Sequence, residues 1–185
     1  QMLLTSDYYE LPKSQLVFGN PNAKLKIHII TSPFCGHCTE PHYMLKTILD
    51  KYSERVNIAI LYNVNPKNTR LKNFVKDITQ LKLKKGDGYY FEAMDYWYDT
   101  KDDDKWSNKY RMESSDEDIE NRLDRQRPWF VKHEFNFTPC LFVNGYRYPT
   151  VYDIEDLPFF IDELVDDKSF LTKEYKIYLA DAEKL

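Results

Sequence analysis

At 185 residues the chain suits one domain with a real hydrophobic core and an inserted subdomain. Acidic residues outnumber basic ones by 30 to 26, a formal net charge of -4, so no basic excess exists to hold a phosphate backbone and no nucleic-acid partner is expected. The 15 Tyr, 11 Phe and 3 Trp against 5 Gly argue for a packed, ordered protein, and no apolar run of about 18 residues is present to span a membrane. The opening QMLLTSDYYE lacks the basic start and apolar stretch of an intact signal peptide, so the chain is expected to be a mature or excised segment. Three cysteines are too few for a disulfide framework.

In chain order, Leu16 to Phe18 is a short apolar strand closed by the turn GNPN. Leu25 to Ile30, LKIHII, is a second strand leading directly into SPFCGHC, residues 32–38. From Thr39 the apolar residues Met44, Leu45, Ile48 and Leu49 recur at three- and four-residue spacings, which predicts a helix ending in DKYSER. Val56 to Val64 is another strand, and strand, helix, strand at this spacing is a βαβ unit with parallel strands. Pro66 to Pro128 reads as helical, with stripes at Leu71, Phe74, Val75, Ile78 and at Phe91, Met94, Tyr96 to Tyr98, separated by a turn at Lys84 to Gly88. The acidic runs Asp99 to Lys105 and Glu113 to Glu120 read as exposed loops and the charged first turn of a helix, with Ser114 or Ser115 as its cap. Their spacing matches no EF-hand loop. Thr138 to Gly145 is a strand bounded by the turn NG, with YRYPTV as its hairpin partner. The stretch DIEDLPFFIDELVDD predicts a helix with Leu157, Phe160, Ile161 and Leu164 on one face. Lys168 to Leu185 reads as a polar-faced extension.

Two cysteines separated by two residues, Cys35 and Cys38, either hold a metal or exchange electrons with other thiols. Cys35 and Cys38 with His42 or Cys140 supply enough soft ligands for zinc or copper, but no second CxxC or clustered HxH accompanies them. His28 and His133 have no supporting constellation. Trp129 and Phe130 are expected in the core.

The order β, βαβ, helical insert, ββα, with CxxC between a strand and a helix and TP before a later strand, resembles the thioredoxin superfamily. The insert makes it similar to the DsbA-type thiol:disulfide oxidoreductases. The run TPCLFVNGYRYP…YDIEDLPFFIDEL also resembles the thioredoxin-like domain fused to vitamin K epoxide reductase homologues. The resemblance implies an α/β thioredoxin fold over residues 1–185, a central mixed sheet with helices on both faces, with a DsbA-like helical insertion at 66–128. It implies Cys35 as the exposed nucleophile and Cys38 as the buried resolving thiol. Pro139 is then a cis proline facing the pair, leaving the backbone at Thr138 free to pair with an extended substrate. Phe34, as an apolar rim, and Gly36 complete the expected substrate-binding set. No cofactor is implied beyond a redox-active Cys35–Cys38 disulfide, and no metal. Expected partners are cysteine-containing proteins and a vitamin K epoxide reductase-like or DsbB-like membrane protein. The expected location is extracytoplasmic, in a periplasm, as an excised domain of a membrane-anchored protein.

Thiol exchange needs a thiolate, and the N-terminus of a helix running from about Cys35 to Tyr52 would stabilise one at Cys35. A charged His37 favours the thiolate, hence the reduced form, and makes the disulfide a better oxidant. CGHC is also the motif of disulfide isomerase domains. Two positions depart from the family pattern. Where relatives carry a buried carboxylate six residues before the first cysteine, this chain has Ile29, and Cys140 follows the proline where a threonine is usual. Cys140 is read as a small buried strand residue, or else a third thiol near enough to trap a disulfide. The alternatives kept beside an oxidase or isomerase are a thioredoxin-like reductase and a non-catalytic metal-binding or docking module.

Overall fold

The computed structural model describes residues 3–113, 116–173 and 175–180. It forms two compact units, one taking the chain up to Leu61 and again from Asn136, the other Tyr62 to Phe135.

The first unit carries a five-stranded mixed sheet. Strand β1 (Leu11–Pro12) stands apart from it, followed by β2 (Leu16–Gly19), β3 (Leu25–Thr31), helix α1 (Thr39–Tyr52) and β4 (Val56–Tyr62). The sheet order is β2-β4-β3, continued by β5 (Cys140–Val143) and β6 (Tyr146–Arg147). Strands β3 and β4 are central neighbours joined through α1, the crossover that parallel strands need. The other three pairings are antiparallel. All seven residues of β4 are buried, as are six of the seven in β3, which is why both read as apolar runs without alternation.

Turn chemistry sets the strand ends. Gly19 has φ +80°, and a Cβ there would stand 2.4 Å from the Val56 carbonyl, so only glycine fits. In the β5–β6 turn Asn144 (φ 46°) and Gly145 (φ 82°) are both left-handed, the signature of a two-residue hairpin that the NG pair predicts. Asn144 is locked further, accepting from the Lys26 N–H at 2.6 Å and donating to the Lys24 carbonyl at 3.1 Å.

Helix α1 begins at Thr39, where the apolar spacing puts it, and not near Cys35, where the thiolate argument would start it. Residues 32–38 close tighter turns instead: the Cys35 N–H meets the Ser32 carbonyl at 3.3 Å, and the Cys38 N–H meets the Cys35 carbonyl at 3.4 Å. The first four-residue bond runs from the His42 N–H to the Cys38 carbonyl, so Cys38 is the N-cap. Pro41 then lies in the first turn, where its missing N–H has no intrahelical partner to lose.

The C-terminal helix α6 (Leu157–Asp166) buries Leu157, Ile161 and Val165, while Phe160 and Leu164, expected on that face, are half-buried. The polar extension is more structured than its composition predicts. A short helix α7 (Lys168–Leu171) buries Phe170, and β7 (Ile177–Tyr178) pairs in parallel with β1. Neither two-residue strand is legible in the sequence, because each is too short to show a period.

The second unit is helical: α2 (Thr69–Lys85), α3 (Asp87–Thr100), α4 (Asp103–Tyr110) and α5 (Glu117–His133). Asn68, Asp102 and Asp116 cap α2, α4 and α5 through their side chains, which explains the acidic runs as helix starts. Ser114 and Ser115 lie outside the described residues. In α3 the buried face is Tyr90, Ala93, Met94, Trp97 and Tyr98, with Phe91 and Tyr96 half-buried, a phase shifted from the predicted stripe. Phe74 stacks on Trp106 at 4.1 Å and meets Trp97 edge-on at 5.0 Å, and the Trp106 indole donates to the Ala93 carbonyl. Helix α5 continues through Pro128 to His133, with Trp129 and Phe130 buried and Trp129 stacked on Phe135.

Candidate active site

Strand β3, the 32–38 turns and the start of β5 bring the two cysteines and the TP dipeptide together. Cys35, Cys38 and Cys140 are all described as free cysteines. The Thr138–Pro139 bond is cis, and the Thr138 carbonyl lies 3.5 Å from the Cys35 sulfur, which donates to it as a neutral thiol.

Cys35 is half-buried and Cys38 wholly buried, and their proton affinities separate. Burial pushes the Cys35 thiol up, but donation from the Cys38 thiol, the Thr138 hydroxyl and the backbone N–H groups of His37 and Cys38 outweighs it, so Cys35 lies below the usual cysteine range. Hydrogen bonds to a charged acceptor stabilise by about 1.5–3 kcal/mol each, enough for several to overcome partial burial. For Cys38 burial is the larger effect and its bond to Cys35 adds to it, so that thiol lies above the usual range. Thr31, the Ser32 N–H and Thr138 act in the opposite direction on Cys38 without reversing the outcome. Of the two, Cys35 gives up its proton the more readily and Cys38 the less.

The other predicted residues take varied places. His37 is exposed and reaches Cys35 through its backbone N–H. Gly36 is exposed, and a Cβ added to it would meet nothing within 4 Å, so no close approach requires glycine there. Phe34 is half-buried, its N–H on the Ser32 hydroxyl at 3.3 Å. Ile29 is fully buried and apolar. His42 is buried, with Tyr43 edge-on at 5.1 Å. His28 is buried against the Tyr175 hydroxyl at 3.1 Å, and burial with the nearby Lys26 charge holds its imidazole down at about 3.

Cys140 is buried on β5, opposite Ile30. Burial pushes its thiol up to about 11, only partly opposed by Arg147. A cleft of about 300 Å³ borders it, lined by His37, Phe137, Pro139, Arg147, Tyr148 and Tyr152 among others. The Tyr148 hydroxyl is buried there with no partner among the described residues. The Arg147 guanidinium lies over the Phe137 ring at 5.2 Å. Among the described residues no three His, Cys, Asp or Glu side chains group to hold a metal ion, and no helix is long and apolar enough to cross a membrane.

Thr31 is the site residue that sequence reasoning missed. Its signal is a hydroxyl at the end of a strand, two residues beyond the position where an acid was sought.

A cis proline presented to a buried–exposed cysteine pair at the end of a central strand defines a thioredoxin-like redox fold. The thioredoxin family model matches residues 12–163, and the chain belongs to that family. Its fold is similar to that of a periplasmic thioredoxin-like protein from Salmonella enterica serovar Typhimurium, at 17% identity and TM-score 0.61, covering 80% of this chain and 88% of that one. Oxidised BdbD from Bacillus subtilis matches at 11% identity and TM-score 0.63, covering 86% and 98%. The thiol-disulfide exchange protein α-DsbA2 from Wolbachia pipientis matches at 17% identity and TM-score 0.57, covering 81% and 90%. No curated protein sequence matches the chain. The fold is therefore the DsbA-like form of the thioredoxin fold.

Proposed function

We propose that this protein is a thiol:disulfide oxidoreductase that oxidises or isomerises disulfides in cysteine-containing proteins outside the cytosol. The observation that carries the reading is the split between Cys35, half-exposed and held toward its thiolate, and Cys38, buried and held toward its thiol. That asymmetry gives one sulfur to attack a partner and one to resolve the mixed disulfide.

In the oxidising direction a substrate thiolate attacks the sulfur of Cys35 in the Cys35–Cys38 disulfide. The Cys35–Cys38 bond breaks and Cys38 leaves with the electron pair. A second substrate thiolate then attacks the substrate sulfur of the mixed disulfide and releases Cys35 as the thiolate, so two electrons pass from substrate to pair. The cleft beside His37 and Pro139 suits the flanking peptide: Phe137 and Tyr152 offer aromatic surface, and the Tyr148 hydroxyl offers a donor. Phe34, Gly36 and Thr138 are the further substrate-binding residues in this reading. A charged His37 adds to the backbone donors in favouring the reduced form. A vitamin K epoxide reductase-like or DsbB-like membrane protein would re-oxidise the pair. The periplasmic Salmonella neighbour and the reliance on a stable disulfide both support an extracytoplasmic location.

The test is the reduction potential of the Cys35–Cys38 pair, titrated against glutathione with Cys140 replaced by Ser. A value of roughly -120 to -180 mV is expected for an oxidant or isomerase. A value near -270 mV, about that of thioredoxin, reverses the electron flow, and no reversible disulfide at all overturns the reading.

A further inference from the structure

Strand β6 ends at Arg147, but the ladder runs one residue further, because the Tyr148 N–H meets the Leu141 carbonyl at 2.8 Å. Pro149 has no N–H to continue it, and the chain turns, the Tyr152 N–H closing on the Pro149 carbonyl at 3.2 Å. That turn folds Tyr152 back beside Tyr148, ring centroids 6.2 Å apart, and Tyr152 leans in turn on Phe160 of α6 at 5.2 Å. So held, Tyr148 keeps only 7% of its surface exposed, and its hydroxyl is shielded from solvent with no hydrogen-bond partner among the described residues. A hydroxyl in that state has lost water's hydrogen bonds and gained none, so a group that brings an acceptor to it is bound the more tightly. Burial, with Asp156, Tyr152 and Asp153 close by, pushes this hydroxyl up to about 12, so at neutral pH it keeps the proton it would donate.

Tyr148 lines the cleft of about 300 Å³ that starts at the reactive pair. His37 and Pro139 stand in the same wall, and the Thr138 carbonyl, next to Pro139, is 3.5 Å from the Cys35 sulfur. A peptide joined to Cys35 therefore lays a residue close to its own cysteine into this cleft. The lining carries charge of both signs: Asp153 and Glu155 are exposed, while Arg147 is half-buried with its guanidinium over the Phe137 ring at 5.2 Å. A substrate carboxylate meets the two acids. A substrate cation meets Arg147 and offers the hydroxyl no acceptor, and an aliphatic side chain leaves the hydroxyl unsatisfied. A neutral carboxamide suits every group, since its oxygen accepts from a hydroxyl and its NH2 donates to a carboxylate.

Resting on the thiol-exchange reading above, we propose that the cleft is a specificity subsite for a carboxamide side chain, Asn or Gln, near the reactive cysteine of the substrate, and that the Tyr148 hydroxyl selects it.

The experiment uses a Cys38→Ser chain, which keeps Cys35 but cannot resolve, so mixed disulfides on Cys35 accumulate. It is equilibrated in a glutathione redox buffer with an equimolar set of cysteine peptides. These differ only in carrying Asn, Gln, Leu, Glu or Lys at one of the two positions on either side of the cysteine. Mass spectrometry of the adducts, with the site assigned by peptide mapping, reads the preference. At one position Asn or Gln is expected to exceed Leu about tenfold, with Glu and Lys no better than Leu. Tyr148→Phe, which keeps the ring and deletes the hydroxyl, is expected to bring the carboxamide peptides down to the level of Leu. Because that variant removes an unpartnered hydroxyl, its thermal midpoint should not fall below the parent's.

An even spread of the five side chains at every position overturns the proposal, as does a carboxamide preference that survives in Tyr148→Phe. A preference for Lys or Glu makes the cleft a reader of charge and overturns it too. A Tyr148→Phe chain that loses all the peptides equally marks a backbone contact, and one that melts lower marks a partner inside the protein; either outcome is against selection by side chain. Any accessible thiol forms these adducts, so the preference is read whether or not the pair is a working redox couple. A failed glutathione titration of the Cys35–Cys38 pair beside a normal carboxamide preference sinks the thiol-exchange reading and leaves the subsite. A normal titration with no preference does the reverse.

Discussion

The turn at residues 32–38 and the strand β5 each present a cysteine, and the two environments act in opposite directions. Around Cys35 the backbone has not yet entered a helix, so the N–H groups of His37 and Cys38 can turn toward the sulfur, joined by the Cys38 thiol and the Thr138 hydroxyl. On β5 the backbone of Cys140 sits in a strand paired with β3, and its sulfur is buried with Arg147 as the partner that opposes burial. The difference teaches why an irregular turn, rather than a strand, can favour a thiolate. A sheet uses its backbone donors in its own ladder, whereas a turn ahead of a helix has donors to spare.

The largest expected effect comes from breaking the active side of this comparison. Cys35→Ala should abolish exchange with glutathione, because neither the buried Cys38 nor Cys140 offers an accessible thiolate; turnover of a fluorescent disulfide peptide measures it. Next, the two environments should separate by labelling. With its thiol near 11, about one Cys140 in ten thousand is ionised at pH 7, so iodoacetamide followed by peptide mass spectrometry should modify Cys35 long before Cys140. Equal labelling of the two would erase the contrast.

A smaller effect lies in stability against pH. The folded-state thiol of Cys140 is raised from 9.0 to about 11, so folding favours its protonated form. Its contribution is fully present below pH 9 and is lost as pH rises from there toward 11, by about 2–3 kcal/mol in all. Buried tyrosines such as Tyr148, raised to about 12, titrate near the same window. The measurement is therefore the difference between parent and Cys140→Ala in urea midpoint at pH 8 and pH 11, which should shrink at the higher pH. Smallest of all is Arg147→Met. It should push the Cys140 thiol further up and remove the contact over Phe137, costing below about 1 kcal/mol in a thermal melt, with Cys35 reactivity unchanged.

Much of the site could be read from residue order. The CxxC spacing, the TP dipeptide and the NG turn each depend on local chemistry: two sulfurs within reach, a proline beside a strand, two residues that tolerate positive φ. The strands β3 and β4 were legible because long buried runs keep their apolar character on both faces. The apolar spacing also put the start of α1 at Thr39, where it lies, whereas running the helix back to about Cys35 overlooked that the hydrogen bonds of residues 32–38 close shorter turns. The phase of α3 was misplaced because a helix so rich in aromatics shows apolar residues all round, and only packing selects which are buried.

What the sequence by itself determined is the chemistry available: a cysteine pair at a strand end, no acid in the strand before it, and a family whose fold places a proline opposite. Only the tertiary structure decided how that chemistry is distributed. It aimed the donors at Cys35, shut Cys38 away from solvent and left Cys140 buried and held toward its thiol. Those outcomes depend on distances between residues far apart in the chain. Burial and hydrogen bonding, which set a thiol's proton affinity, exist only once the sheet has brought residues 31, 38 and 138 together.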